Sequence, residues 1–185
     1  MYRTVCLLIL SLVILCCTPS AYGKDVPALV EGIKAAVKEK APCWKLFHQQ
    51  GRRDVDRAEA WVNWVCGKEG VVAYLYHEPS VEAAIKLFHE MRTAPVAAPG
   101  RAVDSYKFGD ESFVRSFNPY SRSSYVFFRK GNIIVRIDSG TSGKASSART
   151  LKNAVGFARL FVEQLSAPPN SGMHPTPFHD VSHEG

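Results

Sequence analysis

Three histidines in the central part of the chain, His48, His77 and His89, are the side chains best suited to acid–base chemistry near neutral pH. Serine, aspartate and glutamate are abundant, so a catalytic triad could assemble in space around one of these histidines. The sequence nevertheless lacks the HExxH, GxSxG, GxxxxGKS/T and GxGxxG patterns of zinc proteases, serine hydrolases and nucleotide-binding proteins. Whether the protein is an enzyme therefore stays open, and no cofactor is predicted.

Adjacent carboxylates at Asp110 and Glu111 could suggest paired-carboxylate catalysis. Neighbouring residues on an extended chain point to opposite faces, however, and the pair directly follows Gly109. The local pattern therefore favours a turn over a catalytic pair.

Two cysteines, Cys43 and Cys66, lie outside the N-terminal apolar segment that holds the other three. An even number of cysteines in an exported chain predicts a disulfide, and two cysteines permit only one intramolecular pairing. The alternative is a nucleophilic or metal-binding thiol. Neither cysteine belongs to a CxxC motif, which argues against this alternative.

The C-terminal tail, Ala167–Gly185, contains four prolines and few large apolar residues. Such a segment cannot bury enough surface to offset the entropy of ordering, which predicts disorder. Its histidines and acids could also bind a divalent transition metal such as Zn²⁺ or Cu²⁺. The candidate ligands are His174, His179 and His183, with Asp180 and Glu184 nearby.

The N-terminal segment Met1–Gly23 has the pattern of a secretory signal peptide: a basic residue near its start, the apolar run Val5–Cys17 and small residues before Lys24. The apolar run is shorter than the roughly 20 residues that span a bilayer. We therefore expect an exported protein, periplasmic or secreted, with no membrane span after cleavage. An uncleaved anchor and lipid attachment at Cys16 or Cys17 are the alternatives.

The charge pattern does not indicate a nucleic-acid partner. The formal net charge is +6, and the basic residues are scattered along the chain in runs of no more than two. After signal removal the chain is long enough for one core, which predicts a single domain over residues 24–166.

In the first half of this domain the sequence pattern predicts a helix, a short strand with a polar turn, a hairpin and a second helix. Their ranges are Pro27–Lys40, Cys43–Gln49, the turn Gly51–Asp54, the hairpin strands Ala58–Cys66 and Val71–His77, and a helix from Ser80 to Met91.

The second half begins with a proline-rich loop and predicts two strands, a strong hairpin and a last helix that starts at Ser146 or Ser147. The ranges are the loop Thr93–Gly100, the strands Ala102–Phe108 and Ser112–Phe117, the hairpin Ser123–Gly140 and a helix to Leu165.

Together these elements predict an α+β fold, with an antiparallel sheet of about five to seven strands and amphipathic helices packed on one face. Alternation in the hairpin Ser123–Gly140 assigns one set of side chains to the helix-covered face: Val126, Phe128, Ile133, Val135 and Ile137. The opposite set would form an exposed aromatic and basic binding patch: Tyr125, Phe127, Arg129, Ile134 and Arg136. Alternatively, the first helix or the loop Thr93–Gly100 covers that patch and makes it a second core.

Two motifs carry a resemblance to a known group of proteins. KFGDESF at Lys107–Phe113 and FFRKGNIIV at Phe127–Val135, followed by a terminal amphipathic helix, resemble a pattern in small exported bacterial domains of unknown function. The resemblance covers about residues 107–165. It implies a small α+β domain and assigns no catalytic residues.

Two functions are compatible with these patterns. The first is an exported, non-enzymatic binding module for an unknown protein or small-molecule ligand, suggested by the aromatic and basic face of the hairpin. The alternative is a small secreted hydrolase or other enzyme, with a site assembled around His48, His77 or His89.

Overall fold

The computed structural model describes residues 26–54, 57–93, 101–118, 122–143 and 147–167. Within these ranges the chain forms three helices and seven strands. In chain order they are α1 (Val26–Lys40), β1 (Lys45–Arg53), β2 (Ala58–Cys66), β3 (Glu69–His77), α2 (Val81–Thr93), β4 (Arg101–Ala102), β5 (Glu111–Asn118), β6 (Ser123–Lys130), β7 (Ile133–Thr141) and α3 (Ser147–Ser166).

All seven strands belong to one antiparallel sheet, in the order β1-β2-β3-β7-β6-β5-β4. The first hairpin and the last strands meet where β3 pairs with β7, so the two halves of the chain share a continuous sheet. The predicted α+β class and the number of strands are confirmed.

Two-residue turns close the β2–β3 and β6–β7 hairpins. Gly67 begins the turn between β2 and β3 with a φ of 61°, and Gly131 begins the turn between β6 and β7 with a φ of 59°. Glycine adopts this left-handed conformation without steric cost, whereas most residues do not. The turns therefore fix a register in which Val126 lies opposite Ile137 and Phe128 opposite Val135.

The first face of the sheet carries the main core, beneath α1 and α3. As the alternation predicts, the five apolar hairpin residues assigned to the helix-covered face lie in this core. Helix α1 contributes its buried stripe, including Leu29, Ile33 and Val37. Helix α3 adds Phe157 and Phe161. The core beneath the helices is mainly apolar, with a buried hydrogen bond of 2.8 Å between Ser124 of β6 and Thr150 of α3.

The second face is covered by α2, which packs on β6 and β7. The prediction that all helices lie on one face is therefore wrong, because α2 lies opposite α1 and α3. Ser80 caps α2, since its Oγ accepts a hydrogen bond of 3.1 Å from the Ala83 amide. The helix buries Ala84 and Phe88 against the sheet.

Two predicted boundaries differ from the structure. Residues Gly51–Arg53, predicted as a turn, continue β1, because they pair with Ala58–Ala60 of β2. The predicted strand Ala102–Phe108 is regular only at Arg101–Ala102. Beyond it, the Phe108 amide donates to Ser112 Oγ at 3.0 Å rather than to a strand partner.

Cys43 and Cys66 form the predicted disulfide, with Cα atoms 5.4 Å apart. The bond fastens the segment before β1 to the end of β2.

The predicted signal peptide Met1–Gly23 and the histidine-containing tail lie outside the described residues. Among the described helices, none is both long enough and apolar enough to cross a membrane.

Candidate ligand-binding face

A row of five large side chains crosses the second face of the sheet at right angles to the strands. The register places them opposite one another on successive strands, in the order Trp61, Tyr74, Arg136, Phe127 and Phe113. Directly opposed residues in an antiparallel sheet point to the same side. The row therefore joins the β2–β3 hairpin to the β5–β6–β7 part of the sheet.

Helix α2 covers one end of this row. Phe113 and Phe127 stack with their ring centroids 4.7 Å apart, and Phe88 of α2 approaches Phe113 edge-on at 5.9 Å. Tyr125 and Ile134 belong to the same apolar cluster. These contacts make this end of the face a second core.

The structure therefore corrects the predicted exposed patch. Tyr125, Phe127, Arg129 and Ile134 are all buried, with Phe127 only 3% exposed and Arg129 only 6%. Of the five predicted residues, Arg136 alone stays partly exposed. The covering element is α2, which the sequence pattern had placed on the other face.

Arg129 is held by two carboxylates and a carbonyl. Its Nε and Nη2 donate to Glu111 Oε1 at 3.0 and 2.9 Å, and its Nη1 donates to Asp110 Oδ2 at 3.0 Å and to the Gly131 carbonyl at 2.7 Å. Gly109 presents these acids from a turn with a φ of 58°. The adjacent carboxylates thus clamp the β6–β7 hairpin, which supports their structural role.

The other end of the row is not covered by α2, which packs on β6 and β7, nor by α1 and α3, which lie on the opposite side. On the described strands its side chains are partly or fully exposed. We call this surface the open face and define it by the side chains that the register places there: His48, Gln50, Arg52, Glu59, Trp61, Asn63, Val72, Tyr74, Arg136 and Asp138. Tyr76 lies at its border, where it packs against the cluster beneath α2.

Trp61 is held in place at the outer part of the open face. The His48 ring lies against it, with centroids 4.5 Å apart and planes 32° apart. The indole Nε1 donates a hydrogen bond of 3.0 Å to Gln50 Oε1. An aromatic side chain that is fixed in this way loses little conformational entropy when a ligand packs against it.

Arg136 marks the boundary between the covered end and the open face. Its guanidinium lies over the Tyr74 ring at 5.4 Å and over the Phe127 ring at 5.2 Å. Two parallel hydrogen bonds join it to Asp138, from Nε to Oδ1 at 2.8 Å and from Nη2 to Oδ2 at 2.7 Å. The ion pair is consequently rigid and points the same way as the aromatic rings.

The surroundings of this ion pair are partly desolvated. Burial raises the pKa of Asp138 above its usual value, although the hydrogen bonds and charge of Arg136 oppose the shift. Burial also raises the pKa of the neighbouring Tyr76. Both groups are therefore partly withdrawn from solvent.

The three histidine candidates lie on different elements and have different partners. His48 stacks on Trp61, and His77 Nε2 lies 2.9 Å from Asn132 Nδ2 at the far end of β3. His89 on α2 lies 3.3 Å from Glu111, the carboxylate that already binds Arg129. These contacts give each histidine a packing or bridging role, and the structure does not bring the three together.

A separate cavity of about 530 Å³ lies beside the start of α3. Its one acid, Glu69, is already bound by Arg149 at 3.2 Å and by Asn153 at 2.7 Å. Within the described residues, no three histidine, cysteine, aspartate or glutamate side chains come together as a metal site. The predicted tail ligands His174, His179 and His183 lie outside those residues.

Apart from Arg136 and His48, sequence reasoning missed the residues of the open face. Trp61 and Tyr74 stand out as bulky hairpin residues, but so do Trp64 and Leu75, which the structure places in the main core. The available signal is the two-residue alternation: Ala58, Ala60, Val62 and Trp64 share one face of β2, so Trp61 and Asn63 must share the other.

No protein-family model matches the chain, and no curated protein matches it. One solved structure with a detectable likeness is a protein from Thermotoga maritima described as a GTP binding regulator. It is 12% identical, with 77% of this chain and 90% of that chain covered and a TM-score of 0.46. A likeness this distant carries no argument about function.

Proposed function

We propose that the protein is an exported, non-enzymatic recognition module that binds its ligand on the open face. The observation that carries the proposal is the transverse row, in which Phe127 is buried beneath α2 while Trp61 and Tyr74 are left partly exposed. Aromatic side chains together with arginine are the groups most enriched at recognition surfaces.

Preorganisation supports this reading. Trp61 is fixed by His48 and Gln50, and Arg136 is fixed by Asp138 and two rings. Such cross-strand contacts also stabilise the sheet, and a residue that is already fixed loses less entropy when a ligand binds to it. Export is supported by the signal-peptide pattern and by the disulfide, which is typical of oxidising compartments.

The hydrolase alternative receives no support from the geometry. Among the three histidine candidates, His89 has a carboxylate partner, Glu111, and shares it with the buried Arg129. His48 is part of the open face itself, where its ring supports Trp61. We therefore assign the histidines to structure and recognition.

The proposal predicts which substitutions abolish binding. The wild-type protein should bind at least one class of compound on an array that displays neutral, acidic and basic oligosaccharides and peptides. Trp61→Ala and Tyr74→Ala should each weaken that interaction roughly 10- to 30-fold, because a central aromatic contact contributes about 2 kcal/mol.

Ile85→Ala is the matched control, since Ile85 is an exposed apolar residue of α2 away from the open face. It should leave binding unchanged. The melting temperature of each variant separates lost contacts from lost folding, and Trp61→Phe should restore part of the affinity. Retention of full affinity by Trp61→Ala and Tyr74→Ala would remove the open face as the site.

A further inference from the structure

The charged groups of the open face are balanced. The set contains two cations, Arg52 and Arg136, and two anions, Glu59 and Asp138. Arg136 and Asp138 form the bidentate pair, while Arg52 and Glu59 lie directly opposite each other on β1 and β2. The surface therefore offers aromatic area and polar groups whose formal charges sum to zero.

This balance argues against a charged ligand. A polyanion that binds Arg136 has to compete with Asp138 for its guanidinium, and a cationic ligand that binds Asp138 has to compete with Arg136 for its carboxylate. Each competition breaks two short charge-assisted hydrogen bonds in a partly desolvated place. A ligand without charge can instead bind to the ion pair as it stands.

The same groups match the chemistry of sugar hydroxyls. A hydroxyl both donates and accepts, and the fixed pair presents guanidinium donors beside carboxylate acceptors. The next cross-strand pairs on this side of the sheet are Asn63–Val72 and Glu59–Tyr76. They add the side-chain amide of Asn63 and the hydroxyl group of Tyr76. The C–H face of a pyranose ring packs on aromatic rings, while its equatorial hydroxyls reach polar groups beside them.

We propose that the open face binds an uncharged oligosaccharide, with the sugar rings on Trp61 and Tyr74 and their hydroxyls on the Arg136–Asp138 pair. The inference rests on the proposed function and specifies the ligand class for the same surface. Trp61 and Tyr74 are direct partners on adjacent strands, which lie about 4.8 Å apart, so the two rings together can support one or two neighbouring sugar units.

The test is a titration of the purified full chain, labelled with ¹⁵N, followed by the three indole signals in NMR spectra. The probes are the hexasaccharides of cellulose, starch, mannan and chitin, with a polygalacturonate oligomer, an oligolysine and a proline-rich peptide as other classes. At least one neutral hexasaccharide should shift the Trp61 indole signal and leave that of the buried Trp64 unchanged. Its affinity should be insensitive to salt, because no net charge is involved.

Asp138→Asn and Arg136→Gln should each lower the affinity for that sugar about 10-fold, and Ile85→Ala should not change it. Failure of all four neutral sugars to bind with a Kd below about 10 mM would overturn the inference. If the acidic oligomer, the oligolysine or the peptide then binds through Trp61, the proposed function stands with another ligand. If no probe shifts the Trp61 signal, the recognition proposal fails as well.

Discussion

Phe127→Ala should destabilise the protein by about 3–5 kcal/mol, the usual cost of removing a buried phenylalanine ring. Phe127 stacks on Phe113, meets Tyr125 edge-on at 5.8 Å and supports the guanidinium of Arg136. Its removal leaves a cavity beneath α2 that rigid strands on either side cannot close. Urea unfolding followed by far-ultraviolet circular dichroism measures the loss.

Trp61→Ala provides the matched comparison, because Trp61 stands in the same transverse row but outside the cover of α2. We expect it to cost about 1 kcal/mol, since a partly exposed ring loses less contact on truncation. Similar losses in the two variants would contradict the division of this face into a covered end and an open face.

Replacing Arg129 should have a comparable effect on stability. Arg129→Met removes the hydrogen bonds to Glu111, Asp110 and the Gly131 carbonyl and leaves two neighbouring acids without their cation. Breaking a buried pair by removing one partner costs about 3–5 kcal/mol, and the partial exposure of both acids places the expected loss near the lower value. The free energy of unfolding from denaturant titration gives the result.

Arg149→Met is the control for Arg129→Met. Arg149 also forms an ion pair, with Glu69, but its side chain is largely exposed. An exposed pair contributes at most about 1 kcal/mol. If the two substitutions cost the same, the clamp formed by Asp110 and Glu111 does not stabilise the hairpin.

The hairpins could be predicted from the sequence because their signal is local. Alternating apolar residues and a glycine at the turn specify β6 and β7 and the side of the sheet on which Val126 and Ile137 lie. The same alternation specifies β2 and β3. A one-residue change of register would expose the whole inner set, so few alternatives compete.

The side on which α2 packs could not be predicted in the same way. The apolar stripe of Ala84, Phe88 and Met91 shows that α2 must bury one side, but either face of the sheet could accept it. The choice depends on the chain path through the turn Glu78–Ser80 and on the aromatic surface of β6. Placing α2 on the wrong face turned a second core into a predicted binding patch.

The open face could not be predicted for the same reason, because it depends on the side of the sheet on which each helix packs. Its residues were visible as the outward set of β2 and β3, but their exposure depends on where the three helices pack. The continuation of β1 through Arg53 is a second example. Gly51 and two arginines read as a turn, yet pairing with Ala58–Ala60 holds them in the sheet.

The division of the second face can be measured directly by hydroxyl-radical footprinting of the full chain, with oxidation of each aromatic residue quantified by mass spectrometry. We predict that Tyr74 is oxidised several times faster than the chemically matched Tyr125, and that Trp61 is oxidised much faster than Trp64, which is 2% exposed. Saturating ligand should slow only the oxidation of Tyr74 and Trp61. Rapid oxidation of Phe127, or protection in the free protein of Tyr74 equal to that of Tyr125 and of Trp61 equal to that of Trp64, would contradict the account.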